Sequence, residues 1–75
     1  MVKLKVDSSN LDFVSYDQTT KELKIWFKNR KKEEEHYLYK DVDYVTYGEL
    51  MTSESKGKYF HEKIRNKFET EKVER

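Results

Sequence analysis

The stretch that decides the fold is Ser55-Lys-Gly-Lys-Tyr-Phe-His-Glu-Lys-Ile-Arg-Asn-Lys-Phe68. Ser55 is a typical N-cap residue, whose side chain accepts a hydrogen bond from a free backbone N–H at a helix start. Phe60, Ile64 and Phe68 follow at intervals of four residues, which places them on one helical face. We therefore predict a helix over 55–68 with one buried face, which another layer of structure must cover.

A second helix is predicted just upstream of this stretch. Four residues recur there at helical spacing: Tyr44, Tyr47, Leu50 and Met51. Either Asp41 or Asp43 can serve as the N-cap. The two helices carry opposite charge, because 41–54 holds four acidic residues and no basic one, whereas 55–68 holds five basic residues and one acidic.

Upstream of residue 41, apolar residues alternate with polar ones, as in strands that bury one face. The alternating segments are 3–6, 11–16, 22–28 and 36–40. The clearest is 22–28, where Leu23, Ile25 and Phe27 share one face. Since the connections are short, neighbouring strands should be antiparallel. The sequence thus predicts an α+β fold, a three- to four-stranded antiparallel meander packed against two C-terminal helices.

The composition indicates one small folded domain. Charged residues make up 41% of the chain, but six Tyr, four Phe and one Trp supply the aromatic area that disordered chains lack. We expect a single domain over 1–75 with its core at 4–68, and a tail over 69–75 that frays. Because the chain has no Cys, no apolar run of membrane length and no signal-peptide pattern, we expect a cytoplasmic protein without membrane contact.

The residue types that catalysis uses are not arranged for it. His36 and His61 lie on different predicted elements, and His61-Glu62 lacks the second His of a zinc-binding helix. Ser8 and Ser9 have no nearby base and are suited to capping a turn. We therefore expect no enzymatic activity, no cofactor and no metal site.

Basic residues of the helix predicted over 55–68 are candidates for binding nucleic acid. On a helical wheel Lys56, Lys63 and Lys67 lie along one flank of the apolar stripe, with Tyr59 beside Lys63. Such a ridge can neutralise phosphates and stack a base. The alternative is that the basic helix complements its acidic neighbour and keeps the protein soluble.

Two further features have both a structural and a functional interpretation. Tyr37 and Tyr39 either form a stacking platform on an open sheet face or belong to the core. Lys56-Gly57 either places backbone N–H groups for an anion or marks a close approach between the helices.

Trp26 is the odd residue of its strand. It lies between Lys24 and Lys28, on the face opposite the apolar residues, and an exposed Trp in this setting is typical of a contact surface. The charge run Asn29–Glu35 has no apolar anchor and is expected to form a mobile hairpin tip. Together, Trp26, Lys24, Lys28 and Arg30 are the candidate surface for a protein partner.

The motif residues resemble the KTSC domain, a short module of some lysyl-tRNA synthetases that also occurs as a stand-alone bacterial or phage protein. The matching positions are Val6 with Ser8-Ser9, Tyr16-Asp17, Leu23-x-Ile25-x-Phe27, Tyr37-x-Tyr39, Val42, Tyr47-x-x-Leu50, Ser55-Lys56-Gly57-x-Tyr59-Phe60 and Ile64-Arg65. The departures are the longer Arg30–Glu35 run, Asp43 for Pro, Thr46 for Val, Ser53 for Ala, and His61 for Asn. The resemblance implies the fold and, through the synthetase context, a role with RNA.

Two functions stay open. The first is a non-catalytic module that binds RNA or single-stranded nucleic acid through Lys56, Lys63, Lys67 and Tyr59. The second is a protein-interaction module of a phage or mobile element, which contacts a host or viral protein through Trp26 and the charged hairpin. An unpaired edge strand would also allow a homodimer.

Overall fold

The computed structural model describes residues 3–74. The strands in this range are β1 (Leu4–Lys5), β2 (Leu11–Asp17), β3 (Glu22–Phe27), β4 (His36–Tyr39) and β5 (Thr70–Val73). The helices are α1 (Tyr44–Thr52) and α2 (Lys56–Tyr59), and α2 continues as a π-helical turn over Phe60–Ile64. The strands form one antiparallel sheet in the order β1-β2-β3-β4-β5. The predicted α+β fold, a meander packed against C-terminal helices, is confirmed.

The fifth strand was not predicted. Residues 69–75 were expected to fray, but Thr70–Val73 pairs with β4, with Tyr39 opposite Thr70 and His36 opposite Val73. The expectation is therefore wrong for these four residues, because backbone pairing along an edge of the sheet needs few apolar side chains. Arg75, together with Met1 and Val2 of the expected domain, lies outside the described residues.

The core lies between one face of the sheet and the two helices. Its fully buried side chains are Leu11, Val14, Leu23, Ile25, Val42, Leu50 and Ile64. The predicted inward face of β3 is confirmed, since Leu23 and Ile25 are fully buried and the half-buried Phe27 packs against the same cluster.

Helix α1 begins where the capping pattern predicted. The Asp43 side chain accepts a hydrogen bond from the backbone N–H of Thr46 at 3.1 Å, which lowers the pKa of that carboxyl. The other candidate cap, Asp41, has a left-handed backbone with φ of 61° and lies in the connection from β4. Asp43 is therefore the N-cap.

The second helix starts as predicted and ends early. Ser55 caps it by accepting from the backbone N–H of Lys58 at 3.3 Å. The Arg65 N–H then donates to the Phe60 carbonyl at 2.8 Å, five residues back, and Asn66 adopts a left-handed backbone with φ of 64°. The helix thus ends at Ile64 rather than Phe68, and Phe68 packs against the core from the segment that follows.

Tyr16 joins the sheet to the start of α1. Its hydroxyl donates to the Val42 carbonyl at 2.6 Å, and its ring stacks on Tyr47 with the ring centroids 4.4 Å apart. Burial, with the nearby acidic groups, raises the pKa of Tyr16.

Removing this hydroxyl should destabilise the fold. We expect Tyr16→Phe to lower the free energy of unfolding in urea by about 1 kcal/mol, since it leaves a carbonyl without its partner. Tyr44→Phe is the matched control, because Tyr44 is 60% exposed and should change the unfolding free energy little. Equal losses in the two variants would contradict the role of this hydrogen bond.

The two glycines provide a second test. A Cβ on Gly57 would overlap the Oδ1 of Asn10, whereas a Cβ on Gly48 would meet nothing within 4 Å. Gly57 therefore serves a close approach, but to the turn before β2 and not between the helices. Since both glycines are helical, Gly48→Ala should raise the free energy of unfolding by about 0.5–1 kcal/mol. Gly57→Ala should give a smaller gain, because the Asn10 side chain must move aside, and equal gains in both variants would rule out the steric contact.

Candidate ligand-binding groove

A groove of about 470 Å³ opens between the sheet and the segment in which the second helix ends. Its lining residues are Asn10, Phe27, Asn29, Tyr37, Tyr39, Phe60, His61, Arg65, Asn66 and Thr70. These residues come from β3, β4, β5, the π-helical turn and the connections beside them. The volume falls within the range of small-molecule sites.

Four aromatic rings fix the shape of the groove. Phe60 places its ring edge-on to Phe27 and Tyr39, with centroid distances of 5.3 Å and 5.5 Å. Phe27 in turn meets Tyr37 edge-on at 5.6 Å. Such edge-to-face pairs are each worth about 0.5–1.5 kcal/mol beyond their buried area, so the rings are held by one another.

The Tyr37-x-Tyr39 pair packs with the core and also lines the groove. Tyr39 is only 4% exposed and Tyr37 is half-buried, and both pack with the core cluster. The sheet face is therefore not the open stacking platform considered from the sequence. Instead, both tyrosines line a groove that the π-helical turn bounds on one side.

The rim of the groove is polar and carries positive charge. The Arg65 guanidinium lies 3.1 Å from His61 Nδ1, and side-chain amides come from Asn10, Asn29 and Asn66. Burial raises the pKa of Tyr39 above its ordinary range, Tyr37 adds to the rise, and the positive charge of Arg65 opposes it. The lining includes no carboxylate, so the groove suits a neutral or anionic ligand.

The basic ridge predicted on the second helix is not assembled. Because the helix ends at Ile64, the exposed Lys67 follows the turn and does not share a helical flank with Lys63. Lys56 is half-buried, with its ammonium 3.5 Å from the Ser53 carbonyl. Only the exposed Lys63 and Lys67 stay close in sequence to the groove residues.

Tyr59, the aromatic residue of that predicted ridge, is used inside the fold. Its hydroxyl donates to Glu49 Oε1 of α1 at 2.7 Å. Burial and this carboxylate raise the pKa of Tyr59 to about 12. The contact joins α1 to the second helix through a neutral hydroxyl and not through an ion pair.

Trp26 lies on the opposite face of the sheet and is buried. The expected exposure is wrong, because Trp26 is only 6% exposed. The Lys3 ammonium lies 4.8 Å from its ring centroid and His36 packs 4.6 Å away. Its Nε1 is buried without a hydrogen-bond partner in the described part of the chain. A cation brought by the N-terminal segment therefore covers this ring.

The charged hairpin is anchored by Arg30. The guanidinium contacts Asp12 Oδ2 at 2.7 Å and donates to the Glu33 carbonyl at 2.8 Å. Glu35, at the far end of the run, is only 9% exposed, so the run does not form the unanchored tip that was expected. Of the other two residues of that candidate surface, Lys24 is half-buried and Lys28 is exposed.

Sequence reasoning identified some groove residues only as core. Phe27 and Phe60 follow the strand and helix periodicities, which indicate burial and nothing more, whereas Tyr39 was also considered for a stacking platform. The available signal was the combination of Tyr37-x-Tyr39 with a basic residue four positions after His61. No pattern pointed to the asparagines, since they lie in connections.

Two kinds of feature are not found in the described range. Within residues 3–74, no three His, Asp or Glu side chains come together as a metal site. In the same range, no helix has the length and apolar character needed to span a membrane.

The fold and groove define a small sheet-and-helix domain with an aromatic-lined groove. The sequence profile of the KTSC domain matches residues 7–68, so the chain belongs to the KTSC domain family. Its structure is similar to the crystal structure of the KTSC domain protein YPO2434 from Yersinia pestis, with a TM-score of 0.85. The two share 29% sequence identity, and the match covers 97% of each chain. No curated protein matches the chain.

The ion pairs that hold the hairpin predict a pH dependence of stability. Asp12 contacts Lys5 and Arg30, and these hydrogen bonds hold the pKa of its carboxyl below the ordinary value. Because the pKa is lower in the folded state, the contribution is present above the unfolded pKa of about 3.9 and is lost as pH falls through the folded pKa.

We therefore expect Asp12→Asn to lower the melting temperature at neutral pH, and this difference to shrink below about pH 4. Thermal unfolding followed by circular dichroism across this range measures it. Asp7→Asn is the control, since Asp7 is exposed in the turn before β2. A loss in the Asp12 variant that is independent of pH would indicate a packing effect instead of ion pairing.

Proposed function

We propose that this protein is a non-catalytic module that binds single-stranded nucleic acid, with a base in the aromatic groove and a phosphate at Arg65. The observation that carries the proposal is the composition of the groove, which combines four aromatic rings, side-chain amides and a guanidinium without a carboxylate. Single-strand binding proteins use this combination, since every base has a π-face and each nucleotide carries a negative charge.

The aromatic residues of the groove supply the sequence-tolerant part of the interaction. Phe27 and Tyr37 are half-buried, so each has surface that the core does not use. Tyr39 and Phe60 are almost fully buried behind them and keep their rings in place. Stacking of one base on such a ring is worth about 1–3 kcal/mol.

The rim of the groove supplies the polar part of the interaction. Asn10, Asn29 and Asn66 offer both donors and acceptors, which is what the edge of a base requires. Arg65 is exposed and lines the groove, so its guanidinium is accessible to a phosphate. Lys63 and Lys67 are exposed on either side of it in sequence and add a longer-range attraction.

The interface proposed here differs from the one that the helical wheel suggested. Lys56 and Tyr59 are engaged with neighbouring residues, and Trp26 is covered on the opposite face of the sheet. We propose the cytoplasm of a bacterial or phage-infected cell as the location, in line with the sequence analysis.

Arg65→Gln and Tyr37→Ala should each weaken binding of a fluorescein-labelled single-stranded RNA about tenfold, measured by fluorescence anisotropy. The expected size corresponds to loss of one charge contact or one stacked base, at about 1.4 kcal/mol per factor of ten. Arg65 is exposed, so its variant should fold normally and keeps the test valid if Tyr37→Ala is destabilised.

Lys24→Gln is the matched control. It removes one positive charge from a residue that pairs with Ser15 and Leu38, away from the groove, and should leave the affinity unchanged. The affinity of the unmodified protein should fall with salt by about 0.7 log units per log unit of salt for each phosphate contacted. Absence of salt-dependent binding at micromolar protein would refute the proposal, as would equal losses in the Arg65 and Lys24 variants.

A further inference from the structure

We infer that the groove holds one nucleotide and not a run of stacked bases, so its ligand unit is a single nucleoside monophosphate. This inference rests on the proposed function and limits the proposed ligand to one nucleotide. The unit can be a free mononucleotide or one nucleotide of a longer strand, because both present the same base, sugar and phosphate.

The first argument is the extent of the stacking surface. Proteins that follow a strand offer successive aromatic side chains to successive bases. Here the groove aromatics form one contiguous cluster, with neighbouring rings 5.3–5.6 Å apart. In the described range, the large hydrophobic side chains that are well exposed are Leu4, Tyr44 and Val45. Tyr44 is therefore the one aromatic residue with a well-exposed ring in this range.

Tyr44 is too far from the groove to extend it. Its ring lies 6.4 Å from Tyr16, near the end of β2, whereas the groove residue Asn10 immediately precedes the start of that strand. Asn10 and Tyr16 are six positions apart along an extended strand, which corresponds to about 20 Å. A base next to the one in the groove would therefore not reach the Tyr44 ring.

The second argument is the charge available for phosphate. Arg65 is the cation that lines the groove. The lysines at the neighbouring sheet edge are close to carboxylates, with Lys72 3.3 Å from Glu74 and Lys40 3.5 Å from Glu71. The groove is thus built to meet one phosphate, while Lys63 and Lys67 act from outside it.

The third argument is size. A volume of about 470 Å³ lies in the lower half of the range for small-molecule sites, which extends to about 1,000 Å³. Three amides and one imidazole around this space are sufficient for the polar edge of one base. Stacking surface, charge and volume therefore agree on a single unit.

The test compares ligands of increasing length by heteronuclear NMR titration of the full chain. The probes are the four ribonucleoside 5′-monophosphates, the corresponding nucleosides, ribose 5-phosphate, and single-stranded RNA of three and more nucleotides. We expect at least one monophosphate to shift the Tyr37 and Tyr39 signals and to bind within about threefold of the longer RNA. The nucleoside and ribose 5-phosphate should each bind about tenfold more weakly, since each lacks one part of the unit.

Arg65→Gln supplies the matched variant, because it should abolish the difference between monophosphate and nucleoside while Lys24→Gln retains it. A monophosphate that binds more tightly than RNA would support the inference and identify the free nucleotide as the source. Affinity that rises tenfold or more with added nucleotides would overturn the inference, as would binding of RNA without binding of any monophosphate. Either of these results leaves the proposed function standing, whereas failure of every probe removes both.

Discussion

The structure depends on the packing of Phe60 against β3 and β4. The helical segment that carries Phe60 runs only from Lys56 to Ile64, which is too short to be stable alone in water. Its stability comes from the contacts of Phe60 with Phe27 and Tyr39, and from the full burial of Ile64. Without this contact, the sheet would leave the apolar residues of its inner face uncovered.

The same contact explains why a groove exists beside the core. The chain does not continue as an α-helix across the sheet, because the π-helical turn and the left-handed Asn66 change its direction after Ile64. The change of direction returns the chain to pair as β5 and leaves Arg65 and Asn66 at the rim of the groove. Irregular helical turns of this kind frequently occur at functional sites, and here the irregularity creates the space.

Local patterns predicted most of the fold and little of the site. The inner face of β3 and the caps at Asp43 and Ser55 depend on residues close in sequence, so periodicity and capping rules were sufficient. The end of the second helix was not predicted, because no Gly or Pro marks it. The chain leaves the helix at a single residue with a left-handed backbone, Asn66. β5 was missed because Val73 is its one apolar residue.

The groove and the covering of Trp26 were not accessible to such patterns. The groove brings together Asn10, Asn29 and Thr70 from three connections or strands far apart in sequence, and only the completed sheet makes them neighbours. Trp26 alternates with the inner residues of β3 as an exposed residue would. Lys3 and His36 cover it, and the pairing of β1 with β2 brings Lys3 over the ring.

The aromatic residues of this small domain fall into two groups with different consequences. Trp26 and Tyr39 are almost fully buried, Trp26 beneath Lys3 on the outer face of the sheet and Tyr39 in a core that has few aliphatic residues to spare. Phe27 and Tyr37 are half-buried, and each is held edge-on by a neighbouring ring. Folding has already ordered these two side chains. Binding of a ligand that stacks on them therefore does not carry the entropy cost of ordering them. The packing that stabilises the sheet against its helix therefore also preorganises the groove, and the fold and the site cannot be altered independently at Phe60.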